Sequence, residues 1–245
     1  MSADNGVLAL RLEGPLQSWG CDSQYNRRNT GLMPTKSAIA GMCCAALGHD
    51  RGGEAEQHFL ASFNEITMTA LVIPHERCMQ EISVRRLVDY HTVGGGYDPT
   101  KDSERNHITV AAEDGKPRTK NGQALAVLTH RSYLLDASFG VLLEGDITLL
   151  KHLAEALADP VWGLWLGRKT CIPSAPVLVG LFGTRDEALY SLVGKRSLSS
   201  FTRQQDAATF AEGGDSLPDK ALSFASSARR FAPRRIQTMQ RSDGG

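Results

Sequence analysis

The 245-residue chain carries 27 basic and 27 acidic side chains, and 41% of its residues are hydrophobic. That apolar content is enough for one sizeable core, or one core with a small appendage. A formal net charge of zero argues against a freely acting, strongly basic nucleic-acid binder, and is compatible with a subunit that shows acidic surface to protein neighbours and basic surface to a polyanion.

In chain order, residues 7–12 read as a first strand, with Gly14 and Pro15 expected to stop it. A polar loop over 17–33 follows. Pro34-Thr35 then opens a helix, with Thr35 as N-cap, Ile39, Met42, Cys43, Ala46 and Leu47 at helical spacing, and Gly48 as the stop. Residues 66–73 form a second strand ended by Pro74, and 81–90 read as another. From 93 to 121 the composition turns polar and glycine-rich around the island Ile108-Thr109-Val110, which reads as a projecting hairpin or flexible loop. Strand character returns at 131–143. Ile147, Leu150, Leu153, Ala154 and Leu157 space a second amphipathic helix, ended by Asp159-Pro160. Residues 161–166 and 177–182 read as strands flanking a loop, 197–219 is polar and weakly patterned, and the tail places Arg229, Arg230, Arg234 and Arg235 around Phe231. Strand, helix, strands, helix, strand is the order of a ferredoxin-like α+β unit, which says nothing of function by itself.

The five cysteines, Cys21, Cys43, Cys44, Cys78 and Cys171, are odd in number and lack Cys-x-x-Cys spacing, so they read as reduced thiols of a cytoplasmic protein. Cys43 and Cys44 read as small core residues. The histidines are scattered, so neither metal nor cofactor is expected. The polar start lacks the pattern of a signal peptide, and no stretch approaches the ~18 apolar residues of a membrane span.

Three segments carry chemistry. Pro15-Leu16-Gln17-Ser18-Trp19-Gly20, with Asn26, Arg27 and Arg28 just after, joins a Trp, amides and cations at a strand end. Rings stack on bases and arginines pair with phosphates, so the segment suits single-stranded nucleic acid; equally, Trp19 plugs the core and the arginines are solvated. Trp165-Leu166-Gly167-Arg168-Lys169-Thr170 offers close backbone approach at Gly167 and two cations for a phosphate, without the glycine spacing of a Walker loop, or else it is a turn with exposed cations. The basic tail around Phe231 is the third, an RNA contact or a solvated face.

Pro15 to Gly20 resembles the N-terminal signature of the CasD family of CRISPR-associated RAMP proteins. Pro34-Thr35-Lys36-Ser37 with Leu47-Gly48 resembles that family's next block, and Asp89-Tyr90-His91-Thr92-Val93 a third. Tyr133 to Phe139, Leu166 to Pro173 and, more loosely, Arg230-Phe231-Ala232-Pro233-Arg234 complete six blocks in the family's order.

The resemblance implies a ferredoxin-like (RRM/RAMP) domain over 1–195 with a β-hairpin thumb at about 94–129, and a small C-terminal β extension with a basic tail over 196–245. It implies a non-catalytic RNA-binding subunit of a type I-E Cascade complex that caps the backbone filament and holds the 5′ handle of the guide RNA (crRNA). The implied partners are that handle, the Cascade backbone subunit, the large subunit and target DNA near the base of the complex, with no membrane. The RNA contacts expected on this basis are Gln17, Trp19, Tyr25, Arg27, Arg28, Lys36, Arg85, His91, Arg131, Arg168, Lys169, Arg230 and Arg234. The alternative is a metal-independent endoribonuclease, as in a sister subtype, with Tyr25, Lys36, His91 and His130 as candidates for base and cation. A metabolic α/β enzyme would need a phosphate loop that Gly94-Gly95-Gly96 does not supply.

Overall fold

The structure, a computed structural model, describes residues 5–20, 23, 26–77, 80–82, 85–93, 119–120, 123–124, 127–209 and 211–241. Its centre is β1, Asn5–Gln17, whose run from Val7 to Leu10 is apolar on both faces because both faces are covered. Leu8, Leu10 and Leu12 point to one side and Val7 and Ala9 to the other, as the two-residue period of a strand requires.

β1 is longer than its sequence suggests. Gly14 and Pro15 do not end it: Gly14 pairs with Ala137 and Leu16 with Leu135. The ladder skips only Pro15, which has no N–H to give, and Asp136 opposite, which takes a positive φ of 49°.

The neighbouring strands are β2 (Arg27–Arg28), β3 (Thr67–Val72), β6 (Arg85–Val93), β9 (Val127–Asp146) and β10 (Leu178–Phe182), joined by β11 (Arg203–Asp206), β12 (Asp215–Ser223) and β13 (Arg230–Met239) into a sheet of order β10-β1-β9-β3-β11-β13-β12. β2 and β6 attach to β9 off that path, and apart from β2 every pairing is antiparallel. β4 (His75–Arg77) pairs with β5 (Gln80–Ile82), and β7 (Thr119–Lys120) with β8 (Gln123–Ala124). Helices α1 (Lys36–Leu47), α2 (Glu54–Phe63) and α3 (Ile147–Ala158) pack on one face around Leu8, Leu10 and Leu12, while α4 (Arg185–Val193) packs on the other against Val7, Ala9 and Leu142. The architecture is mixed α/β, dominated by antiparallel sheet.

The α1 signals hold: Thr35 accepts from the Ala38 amide and Gly48 closes the helix at φ 72°. Residues 161–166 are not the expected strand. They run irregularly because the Val161 and Trp162 amides bond the Ala46 and Ala45 carbonyls at the end of α1. α2 and α4 were not foreseen, although Thr184 and Glu187 form a capping box at the start of α4. The weakly patterned stretch after 197 contains β11 and the start of β12, and the basic tail is β13.

β9 runs unbroken for 20 residues. Its second half sits between β1 and β3 in the body. Its first half pairs with β6, from Val93↔Val127 to Arg85↔Leu135, as an arm leaving the body. The hairpin expected at about 94–129 lies mostly outside the described residues.

Candidate nucleic-acid interface

At the end of β1, the Gln17 amide donates to the Leu12 and Ala137 carbonyls at 3.0 and 2.6 Å. Trp19 is fully buried, edge-on to Phe139 at 6.4 Å. The RNA contacts expected of Gln17 and Trp19 are therefore corrected: both side chains are held in the core, and their motif shapes the turn behind the surface. Gly167 explains that turn. Its φ is 95°, the Ser18 amide bonds the Leu166 carbonyl at 3.0 Å, and a Cβ on Gly167 would stand 1.8 Å from the Ser18 carbonyl oxygen. The close approach foreseen at Gly167 is made by the chain's own backbone.

Two further expected contacts are buried. Lys36 Nζ donates to the Ile66 carbonyl and lies 3.1 Å from Asp206 Oδ2, which also accepts from the Met68 amide. Arg234 holds Asp219 by two 2.8 Å contacts and meets Asp206 as well, while Asp219 Oδ2 accepts from the Lys36 amide at 2.8 Å. Two cations and two anions thus close a neutral cluster joining α1, β3, β11, β12 and β13, as burial of charge demands. Burial lowers the Lys36 ammonium pKa against the pull of Asp206. Burial also opposes the Arg234 charge, but the bonds to Asp219 and Asp206 outweigh it and raise its pKa. Direct RNA pairing by Lys36 or Arg234 is corrected to a structural role.

Of the remaining cations, Arg28, Arg85 and Arg131 lie on the β2–β9–β6 ladders, and Arg168 bonds to the backbone of β2 and β9. Facing residues of a ladder share a side. Arg28, Arg131 and Asp89 therefore lie on one side with Arg85, His91 and Tyr133, while Arg27, His130 and Tyr90 lie on the other. Arg168 sits 4.8 Å over the Tyr133 ring and donates to the Arg28 and Ser132 carbonyls at 2.6 and 3.2 Å, locking β2 onto β9. His91 Nδ1 stands 3.3 Å from Asp89 Oδ2. Tyr25 lies outside the described residues, and Arg230 is exposed at the start of β13.

Lys169, next along, faces a different feature: a groove of about 960 Å³ between α1, residues 49–51, residues 161–169 and the β12–β13 connection. Its walls carry Trp162, Trp165 and Phe231 and the exposed cations Arg51, Lys169 and Arg229. Lys169 Nζ is 5.6 Å from the Trp165 ring centre, and Arg229 is 6.0 Å from that of Phe231. Rings beside cations are the components of a single-strand binding surface. Arg51 and Trp162 were missed; a lone Arg ahead of two glycines and a Trp in an irregular loop carry no sequence signal. Arg229 was visible in the basic tail, but only the fold brings it to the same groove as Lys169.

The nuclease candidates do not assemble. His91 faces Thr129 and His130 faces Tyr90, so consecutive positions put the two imidazoles on opposite sides of the ladder, and Lys36 is held in the buried cluster. Among the described residues, no three metal-ligating side chains gather, and no helix is long and apolar enough to cross a membrane.

The family model for CRISPR-associated protein (Cas_Cas5) matches residues 7–237. Over 178 residues the chain is 30% identical to the CRISPR system Cascade subunit CasD of Escherichia coli K12, covering 71% of this chain and 70% of that one. Its fold is similar to a chain solved as a CRISPR RNA-guided surveillance complex, with TM-score 0.67, 31% identity, and 95% and 89% of the two chains covered. It is also similar to a crystal structure of a Cas protein, with TM-score 0.60, 28% identity, and 95% and 93% covered. The chain belongs to the Cas5 family of CRISPR-associated proteins, which includes CasD, as the six motif blocks imply.

Proposed function

We propose that this chain is a non-catalytic guide-RNA-binding subunit of a Cascade-type surveillance complex in the cytoplasm, capping one end of the backbone filament and holding the 5′ handle of the guide RNA. One observation carries the reading: Gly167-Arg168-Lys169 joins the cationic root of the arm to the groove of rings and cations, giving one continuous polyanion surface. The names of the similar proteins support a place in such a complex. The strand order β10-β1-β9-β3, with α1 and α3 between strands, supports a ferredoxin-like core within 1–195. The C-terminal strands then form the extension, and the β6–β9 arm is the base of a thumb. The backbone subunit, the large subunit and target DNA are its proposed neighbours.

Photo-crosslinking from 4-thiouridine placed through the handle of an assembled complex tests this. Adducts on residues 161–169 and on β2 are expected; adducts on this chain only from the spacer or the 3′ end overturn it. The split of His91 from His130 supports the non-catalytic part. Specific cleavage of repeat RNA in EDTA, lost in His91→Ala, would overturn that part.

A further inference from the structure

Among the described residues, four strands of the main sheet pair on one side only: β2, β6, β10 and β12. Three of them are guarded. β2 is Arg27–Arg28, β6 carries Arg85, Arg86 and Asp89, and β12 carries Asp215, Pro218 and Lys220. Charge and proline keep an open edge from pairing with another chain. β10 has neither, reading Leu178-Val179-Gly180-Leu181-Phe182.

All five residues of β10 are half-buried. Leu178 and Leu181 pack on the core beneath α3, and Val179 and Phe182 on the core beneath α4. The strand lies on the side of β1 away from β9 and the arm. Among the described residues, no backbone bond outside the β1 ladder takes up its outer N–H and C=O groups. The edge runs on beyond β10, because the Arg11 amide bonds the Val177 carbonyl and the Ser174 amide bonds the Glu13 carbonyl, both at 2.8 Å. Pro173 and Pro176 guard that continuation, so the open stretch is β10 itself. Beside its start is a cleft of about 470 Å³, lined by apolar residues alone, with Leu157 and Ala158 at the end of α3 on one wall and Pro176 and Leu178 on the other.

Edge and cleft together describe their occupant. Outward N–H and C=O groups in a row are matched by another extended backbone, and an adjoining apolar cleft takes a side chain from it. An RNA strand would find no cation on β10 to meet its phosphates. Five residues are too few for an interface that stands alone, which buries at least about 1,200 Å². A second copy held by β10 pairing only is therefore disfavoured, and the partner is a subunit that the complex already holds nearby. We propose that β10 is a docking edge, where an extended segment of a neighbouring protein subunit adds a strand beside Leu178–Phe182 and seats an apolar side chain in the cleft between Leu157 and Leu178. The assignment rests on the complex membership proposed above and gives the sheet a protein contact on the side opposite the arm.

Amide hydrogen exchange is followed by mass spectrometry in the wild-type chain, alone and within the assembled complex, with fragmentation to single residues. The amides of β10 that exchange fast in the chain alone are expected to slow about tenfold in the complex, the factor that roughly nine-tenths occupancy gives. In parallel, Leu178→p-benzoylphenylalanine is irradiated in the purified complex, and an adduct on one stretch of a neighbouring protein subunit is expected. Where that variant fails to assemble, the wild-type exchange decides. Amides already slow in the chain alone, exchange unchanged by assembly, or adducts absent or confined to RNA or a second copy overturn the docking edge and leave complex membership standing. A wild-type chain that never enters the complex overturns both.

Discussion

Arg234 grips Asp219 through two N–H···O contacts of 2.8 Å inside the protein, and the same carboxylate receives the first amide of α1, from Lys36. One side-chain pair therefore fastens the C-terminal strands to the helix that forms a wall of the groove. Arg234→Leu leaves buried Asp219 and half-buried Asp206 beside Lys36 alone. It is expected to lower unfolding free energy by roughly 3–5 kcal/mol. Exposed Arg230→Ala, four positions away on the same strand, is expected to change it by less than about 0.5 kcal/mol. Urea denaturation of the two variants checks the contrast.

Gly167→Ala forces a Cβ to within 1.8 Å of the Ser18 oxygen and strains a backbone held at φ 95°. The strain alone is worth about 1–3 kcal/mol, so a clearly lower melting temperature is expected. A variant that melts with wild type would show that the turn after β1 does not depend on this approach.

Charge reversal separates the two sides of the arm. Arg28→Glu and Lys169→Glu change exposed cations on the proposed RNA path. Each is expected to weaken guide-RNA retention and to reduce the slope of log K against log salt by about 1. Arg27→Glu lies on the opposite side of the ladder and is expected to do less. Arg168→Glu is expected to lower stability as well as retention, because it removes the bonds to Arg28 and Ser132. Binding titrations over a salt series, with parallel melts, resolve these outcomes.

The thiols beside the groove are predicted to be inert. Burial, reinforced by Glu56, pushes the Cys44 thiol from its ordinary 9.0 up to about 12, and burial raises that of Cys43 as well. Iodoacetamide at pH 8 should leave both unmodified in the folded chain and label them on unfolding, as read by mass spectrometry. The sign of the linkage follows. The folded state keeps these protons where the unfolded state releases them, so their contribution to stability is fully present below pH 9 and is lost as pH rises toward 12.

Local signals were legible wherever the chain writes them in neighbouring residues. The Thr35 cap, the Gly48 stop, the Pro74 break and the alternation in β1 and β9 are of this kind. The six family blocks marked the right turns. What they did not tell was which side chains of those turns face outward. Trp19 and Arg234 belong to the kinds of residue that bind RNA, and both are buried, because partners 11 to 120 residues distant surround them: Thr30 and Phe139 around Trp19, Asp206 and Asp219 around Arg234. Conversely, the groove unites Arg51, Trp162 and Arg229 from three connections that share no local pattern. β11 and β12 escaped notice because neither carries a hydrophobic run: β11, though paired on both sides, reads Arg203-Gln204-Gln205-Asp206, and β12 is a polar edge strand.

Asp136 sits at a mechanical boundary. β9 pairs with β6 over 127–135 and with β1 over 134–146, so the two ladders overlap at Leu134 and Leu135, and neither pairs Asp136, which has a left-handed φ of 49°. A load on the arm's far end thus enters the body through two strands, β9 itself and the end of β1, which splints the Asp136 step by pairing with β9 on both sides of it. The layout is that of a splinted joint, with Arg168 braced on Ser132 and Tyr133 beside it. A torque at the arm's tip would pass across Leu134 and Leu135 into the end of β1 and the turn that follows it.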